Sequence, residues 1–250
     1  MTARRGGDGL GERPGLFGAA TAGAEAEAPH HHGHRERLKA RFMQAGADAL
    51  ADYELLELVL FAAVPRRDVK PLAKRLIATF GDFNHAVSAP PARLREVDEV
   101  TEGVVRALKI VEAAAHRLAR ARVINRPAIA SWAALLDYLK TAMAHREIEE
   151  FRILYLDRKN VLIADEPQAR GTVDHVPVYV REVVKRALEL NASALVLAHN
   201  HPSGDPSPSQ ADIDMTRRIR AGLDAVGITL HDHVVVGKGR DFSFQANRLL

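Results

Sequence analysis

The 250-residue chain contains no cysteine, which excludes disulfides, thiolate metal ligands and cysteine nucleophiles. Any bound metal must therefore be held by histidine and carboxylate. No apolar run approaches the roughly 20 residues of a membrane span, and Met1 to Pro29 lacks the continuous apolar stretch of a secretory signal. A membrane partner is not expected, and the expected compartment is the cytoplasm. There is no internal repeat or heptad array, no glycine-rich phosphate loop, no Ser-His-Asp order and no paired glycosidase carboxylates. The formal charge is only +3. With a pI near 9.3, the chain permits contact with nucleic acid without requiring it.

The most informative stretch is His199-Asn200-His201-Pro202-Ser203-Gly204-Asp205-Pro206-Ser207-Pro208-Ser209-Gln210-Ala211-Asp212. Before it, Ala194 to Ala198 is a short apolar run that reads as a buried strand, in which residues two apart point to the same side. His199 and His201 can thus share a ligand, while Asn200 points away and orders the adjoining loop. The prolines and Gly204 turn the chain, and Ser209 opens a helical pattern with Asp212 in its first turn. Two imidazoles and one carboxylate leave a fourth tetrahedral position for water, the arrangement of a catalytic rather than a closed structural zinc site. Each half also has a plain reading. Ser209-x-x-Asp212 is an ordinary helix-capping pattern, and histidines at a strand end can simply be hydrogen-bonded. The intact combination favours Zn2+ on His199, His201 and Asp212, with Asp205 left in the turn.

The length suits two modest domains and the apolar content is ample for their cores. Residues 1–34, rich in Gly, Ala and Glu and ending in a His-rich tract, read as a flexible tail. Over residues 35–122 the pattern is helical: Leu55 to Leu60, then Leu72 to Ile77 before Gly81, then Val104, Leu108, Val111, Ala115 and Leu118 at three-to-four spacing. Residues 123–130, with Pro127, read as a linker, and Ser131 as the cap of a following helix. Beyond it strands are expected at Phe151 to Leu156, Val161 to Ala164, Ala194 to His199, Ile228 to Val236 and Phe242 to Phe244. Helices at Arg181 to Leu190 and Ser209 to Ala225 alternate with them. An α/β domain over residues 131–250 follows.

The spacing His-x-His-x7-Ser-x2-Asp resembles the motif of the JAMM (MPN+) zinc metalloproteases, and its wording is similar to the bacterial RadC branch of that superfamily. Phe151 to Asp157, Gly171-Thr172-Val173, Arg181 to Val184 and Asp232-His233 extend the resemblance, which covers Arg35 to the C-terminus. It implies a C-terminal JAMM/MPN domain with a cytidine deaminase-like core, and a preceding pair of helix-hairpin-helix units. It also implies a zinc-dependent hydrolase of peptide or isopeptide bonds whose base is a glutamate just before the first core strand. Here Glu149 and Glu150 compete for that role, and the RadC pattern favours Glu149. Ser209 matches the serine that donates to the developing oxyanion, a role compatible with capping. His175, His231 and His233 are candidates for orienting a ligand imidazole. A hairpin turn of the DNA-binding type uses glycines to expose helix amides to phosphate. Val100-Thr101-Glu102-Gly103 departs from it with one glycine and an acidic residue, so the helical domain reads equally as a packing module. Three functions are therefore weighed: a zinc hydrolase, a DNA-associated protein, and a metal-binding scaffold without activity.

Overall fold

The computed structural model describes residues 30–128, 131–170 and 178–250. Gly171-Thr172-Val173, His175 and most of the N-terminal tail fall outside the described residues. A mixed α/β architecture results, with helices first and a five-stranded sheet after them.

Helix α1 spans His30–Ala45 and so begins four residues before the boundary expected at residue 34. It is followed by α2 (Asp52–Ala63), α3 (Lys70–Phe80), α4 (Phe83–Ser88), α5 (Pro91–Arg95) and α6 (Glu102–Ala121). Their inward stripes meet in one core built from Leu38, Leu56, Leu60, Leu72, Leu94 and Leu108. Gly81, at φ 100°, ends α3 in a conformation that a side chain would strain. Buried Arg35 ties α1 to this unit by donating through Nη1 to the carbonyl of Pro65 at 2.8 Å and through Nη2 to that of Val64 at 2.6 Å. These carbonyls lie at the C-terminal end of α2, where a cation is favoured.

The turn before α6 is acidic. Glu99, at φ 68°, holds Arg67 at 2.8 Å and Arg75 at 2.7 Å, and Glu102 holds Arg95 at 2.6 Å. The amide end of α6 is closed by its own Thr101, whose hydroxyl accepts from Val104 N–H at 3.4 Å.

The connection to the second domain is docked on the sheet rather than spanning free. Asn125 N–H donates to Leu162 O at 3.0 Å, Leu162 N–H to Arg126 O at 3.1 Å, and Ala128 N–H to Asn160 O at 2.7 Å. Ser131 stands at the N-cap of the next helix, α7 (Trp132–Met143), but its side chain makes no capping bond, and its hydroxyl donates to Pro127 O at 2.7 Å.

The sheet comprises β1 (Glu150–Leu156), β2 (Leu162–Arg170), β3 (Ala194–Asn200), β4 (Thr229–Val236) and β5 (Asp241–Ser243), in the order β2-β1-β3-β4-β5. Only β3 and β4 run parallel, and the connection between them is α9 (Gln210–Asp224). Helix α8 (Val180–Glu189) precedes β3. Strand β2 runs to Arg170, well past the expected end at Ala164. Asp165, Glu166 and Pro167 are residue types depleted in strands, but here the two charges are paired, Asp165 with Arg152 and Glu166 with Arg186, and Pro167 lies on an edge strand where a missing N–H is tolerated.

Alternation sorts the sheet into two faces. Leu154, Leu156, Val196 and Ala198 pack against α7, whereas Phe151, Ile153, Leu195 and Leu197 pack against α8 and α9. On the α7 face, Arg152 donates to both oxygens of Asp165 at 2.8 Å and to Glu150 Oε1 at 2.8 Å, and the Tyr138 hydroxyl donates to Asp165. Burial, then the Asp165 charge, pushes the Tyr138 phenol up, so it stays a donor. Both carboxylates of this network are 1% exposed. Replacing Asp165 by Ala leaves a buried guanidinium undercompensated, and urea unfolding should show a loss of about 3–5 kcal/mol. Arg67→Ala, which breaks an exposed pair, should cost about 1 kcal/mol or less.

Candidate metal centre

The β3–α9–β4 unit builds the site at the C-terminal end of β3, where parallel strands commonly open onto a ligand crevice. His199 pairs across the sheet with Phe151 and is fully buried, on the face covered by α8 and α9. His201, two residues on, lies at the mouth. The turn after it is fastened to the end of β4: His201 N–H donates to Val236 O at 3.0 Å and Lys238 N–H to Gly204 O at 3.1 Å. Gly204 takes φ +88°, and a Cβ on Gly237 would come within 2.4 Å of Gly204 O, so this close approach needs glycine on both sides.

Asp212 reaches the site from the first turn of α9. Its Oδ2 accepts from Ser209 N–H at 2.7 Å and from the Ser209 hydroxyl at 2.6 Å, and Asp212 N–H donates back to Ser209 Oγ at 3.2 Å. This reciprocal cap fixes the carboxylate and leaves Oδ1 at 3.5 Å from His199 Nε2, with Oδ2 at 3.6 Å from His201 Nε2. The two Nε2 atoms are 3.0 Å apart. Donor atoms of a tetrahedral zinc, about 2.0–2.2 Å from the ion, stand roughly 3.3–3.6 Å from one another. Each nearest pair is thus close to that spacing, and one ligand atom from each residue lies within 4.8 Å of the others, a donor set that suits one ion once a single carboxylate oxygen turns to it. His201 Nδ1–H donates to the backbone carbonyl of Asp205 at 2.8 Å, so the neutral ring turns an unprotonated Nε2 inward. Asp205 thus contributes its carbonyl, while its side chain accepts from Ser207.

The electrostatics agree with this geometry. Burial alone would raise the Asp212 carboxyl, but His199 and His201, where their rings are protonated, together with the Ser209 hydroxyl, hold it well below the usual carboxylate range. The Asp212 carboxylate in turn raises His201 above the ordinary imidazole value, against its burial, with the Asp205 carbonyl and the charge of Glu149 adding to the effect. Among the described residues, His199, His201 and Asp212 form the group able to hold a metal ion.

The two adjacent glutamates part company. Glu150, the first residue of β1, faces α7 and is engaged by Arg152, whereas the charge of Glu149 is felt at His201. Asn200 orders this segment: its Oδ1 accepts from Glu150 N–H at 2.9 Å and its Nδ2 donates to Ile148 O at 3.2 Å. The loop that Asn200 steadies therefore precedes β1. Beside it, a cavity of about 220 Å³ is lined by Arg146 to Glu150 and, from the helical domain, by Ser88, Pro90 and Pro91.

Of the other histidines, His231 hydrogen-bonds Asn160 at 2.6 Å, at the opposite end of the sheet. His233 is fully buried and puts Nε2 at 2.8 Å from His199 Nδ1, with Thr216 Oγ1 at 2.6 Å from its Nδ1. Burial, then the neighbouring His199, pushes His233 well below the usual imidazole range. Thr216 was not singled out by sequence reasoning. Its one signal is a position one helical turn after Asp212 on the same face.

The sequence pattern of the RadC-like JAB domain matches residues 129–249. A UPF0758 protein of Ruegeria pomeroyi is 68% identical over 217 residues, which cover 87% of this chain and 97% of that protein. The chain belongs to the RadC family. A second UPF0758 protein, from Rhodobacter capsulatus, is 68% identical over 213 residues, 85% of this chain and all of the relative. The JAB domain of RadC proteins is of the JAMM type associated with metal-dependent hydrolysis, and it contains the donor cluster of this RadC chain. No helix among the described residues is long and apolar enough to cross a membrane.

A metal ion requires neutral imidazole, and metal-free His201 has its pKa raised above 6.5. Its proton is therefore still largely bound at pH 6.5 and must leave when metal enters. Added Zn2+ should release protons near neutral pH, and its apparent affinity should fall as pH drops through the raised pKa. Calorimetry in buffers of different ionisation enthalpy reads this directly. An affinity flat between about pH 6 and 8 with no proton release would contradict it.

Proposed function

We propose that this RadC protein is a zinc-dependent hydrolase of amide bonds, acting in the cytoplasm on a peptide or isopeptide. The observation that carries the reading is the convergence of His199 Nε2, His201 Nε2 and the Asp212 carboxylate beside a segment that carries a second carboxylate. Zinc held by these atoms would supply a Lewis acid that acidifies water and polarises a carbonyl.

The chain's own groups supply the rest. Glu149 is the base: its carboxylate takes a proton from the attacking water and returns it to the leaving nitrogen. Glu150 is disfavoured for this role because it faces α7 and is engaged by Arg152. Ser209 now donates to Asp212 Oδ2. A turn of its hydroxyl would leave that oxygen the Ser209 N–H and free a donor for charge that develops on the carbonyl oxygen. The helical domain serves as a support and as one wall of the cavity beside Glu149. Glu102 stands in the turn where the resemblance would put a phosphate contact, and it pairs with Arg95.

Zinc analysis of purified protein with a panel of peptide and isopeptide substrates tests the reading. Wild type should carry zinc, and His199→Ala should lose it together with activity. Glu149→Gln should keep zinc while hydrolysis falls by about 10²–10⁴-fold. Loss of activity in Glu150→Gln but not in Glu149→Gln would reassign the base, and a chain that neither takes up zinc nor cleaves any amide would remove the proposal.

A further inference from the structure

Behind the three candidate ligands lies a chain of hydrogen bonds that runs from His199 to the backbone of Asp212. Thr216 Oγ1–H donates to the backbone carbonyl of Asp212 at 2.6 Å. That carbonyl can only accept, so the direction of this bond is not open to choice. With its single proton committed, Thr216 Oγ1 must accept from His233 Nδ1–H, 2.6 Å away. His233 is fully buried, in ring contact with Phe151 and Phe244, so it is neutral and carries its one proton on Nδ1. Its Nε2 is then a lone pair, which accepts from His199 Nδ1–H at 2.8 Å. A neutral His199 with its proton on Nδ1 presents an unprotonated Nε2 to Asp212 Oδ1, 3.5 Å away.

We propose that Thr216 and His233 are positioning residues that set the tautomer of His199, using the main-chain carbonyl of Asp212 as the terminal acceptor. The inference rests on His199 being a metal ligand, but the relay itself exists without metal. It ties the ligand on β3 to the backbone of α9 at Asp212, so the His199 ring is oriented before an ion arrives. The alternative tautomer, with the proton on His199 Nε2, would point a hydrogen into the donor cluster and would leave Thr216 without a proton to accept. His201 receives the same instruction by another route, from the carbonyl of Asp205. Both imidazoles are thus oriented by main-chain oxygens, one directly and one through two side chains.

Two readouts test the proposal. In the metal-free protein, long-range nitrogen–proton correlation spectra of the imidazoles report the tautomer. His199 should be protonated on Nδ1 and not Nε2, and His233 likewise on Nδ1. This arm stands even if the wild type takes up no zinc, in which case the functional reading fails and the relay does not. The second readout is Zn2+ affinity by chelator competition, with thermal unfolding of each metal-free variant as the control for folding. Thr216→Val and His233→Leu should each weaken binding by about 10–100-fold. His233→Gln should recover most of it, because one amide can accept from His199 through its oxygen and donate to Thr216 through its nitrogen. A His199 protonated on Nε2 in wild type would overturn the proposal. So would Thr216→Val and His233→Leu variants that fold and bind Zn2+ with wild-type affinity.

Discussion

Alternation along β3 is the constraint on which the site depends. Every residue from Ala194 to Asn200 is buried, with α7 over one face and α8 and α9 over the other. A slip of one residue would turn His199 into the apolar layer under α7 and bring Asn200 to the ligand face, at the cost of unpaired polar groups. The apolar side chains of Leu195 and Leu197 on one face and Val196 and Ala198 on the other thus hold the register that aims two imidazoles the same way. Metal chemistry at the strand end is in this sense a consequence of core packing along its length.

The start of α9 answers to two demands at once. A helix of this length leaves amides unsatisfied in its first turn, and Ser209 with Asp212 satisfies them reciprocally. The same bonds hold the carboxylate with Oδ1 toward His199. Helix polarity adds to this, since the amide end of α9 favours the negative charge of Asp212. The carboxylate is oriented by secondary structure, and the metal need not organise it. The turn between His201 and Ser209 is held from outside, by the end of β4, through the glycine-to-glycine contact of Gly204 and Gly237.

Burial separates two neighbouring acids. Glu150 enters the strand and turns to the α7 side, where Arg152, Asp165 and Tyr138 form a closed polar network. Glu149 stays just outside the strand, with its charge felt by His201. Asn200 links the two environments, because its amide on the α7 side anchors the backbone of the glutamate segment. That residue therefore connects the ligand strand to the proposed base without facing the metal.

Residue types, spacing and the family resemblance pointed to the His199, His201 and Asp212 cluster, the α/β class, the helical character of the first half and most element limits, because periodicity and capping are local properties. His199, His201 and Asp212 lie within fourteen residues and are aimed by a strand, a turn and a helix start, each of which short-range rules describe. Three things were decided only by tertiary packing. The end of β2 passes through Asp165, Glu166 and Pro167, whose partners Arg152 and Arg186 lie on other elements. The stretch from Val123 to Ala128, which reads as a linker, becomes an addition to the sheet because Asn160 and Leu162 supply its hydrogen-bond partners. The relay through His233 and Thr216 joins residues 34 and 17 positions apart, pairings that no spacing rule names. Local sequence dictates which way a side chain leaves the backbone; what it meets there is set by the chain that folds over it.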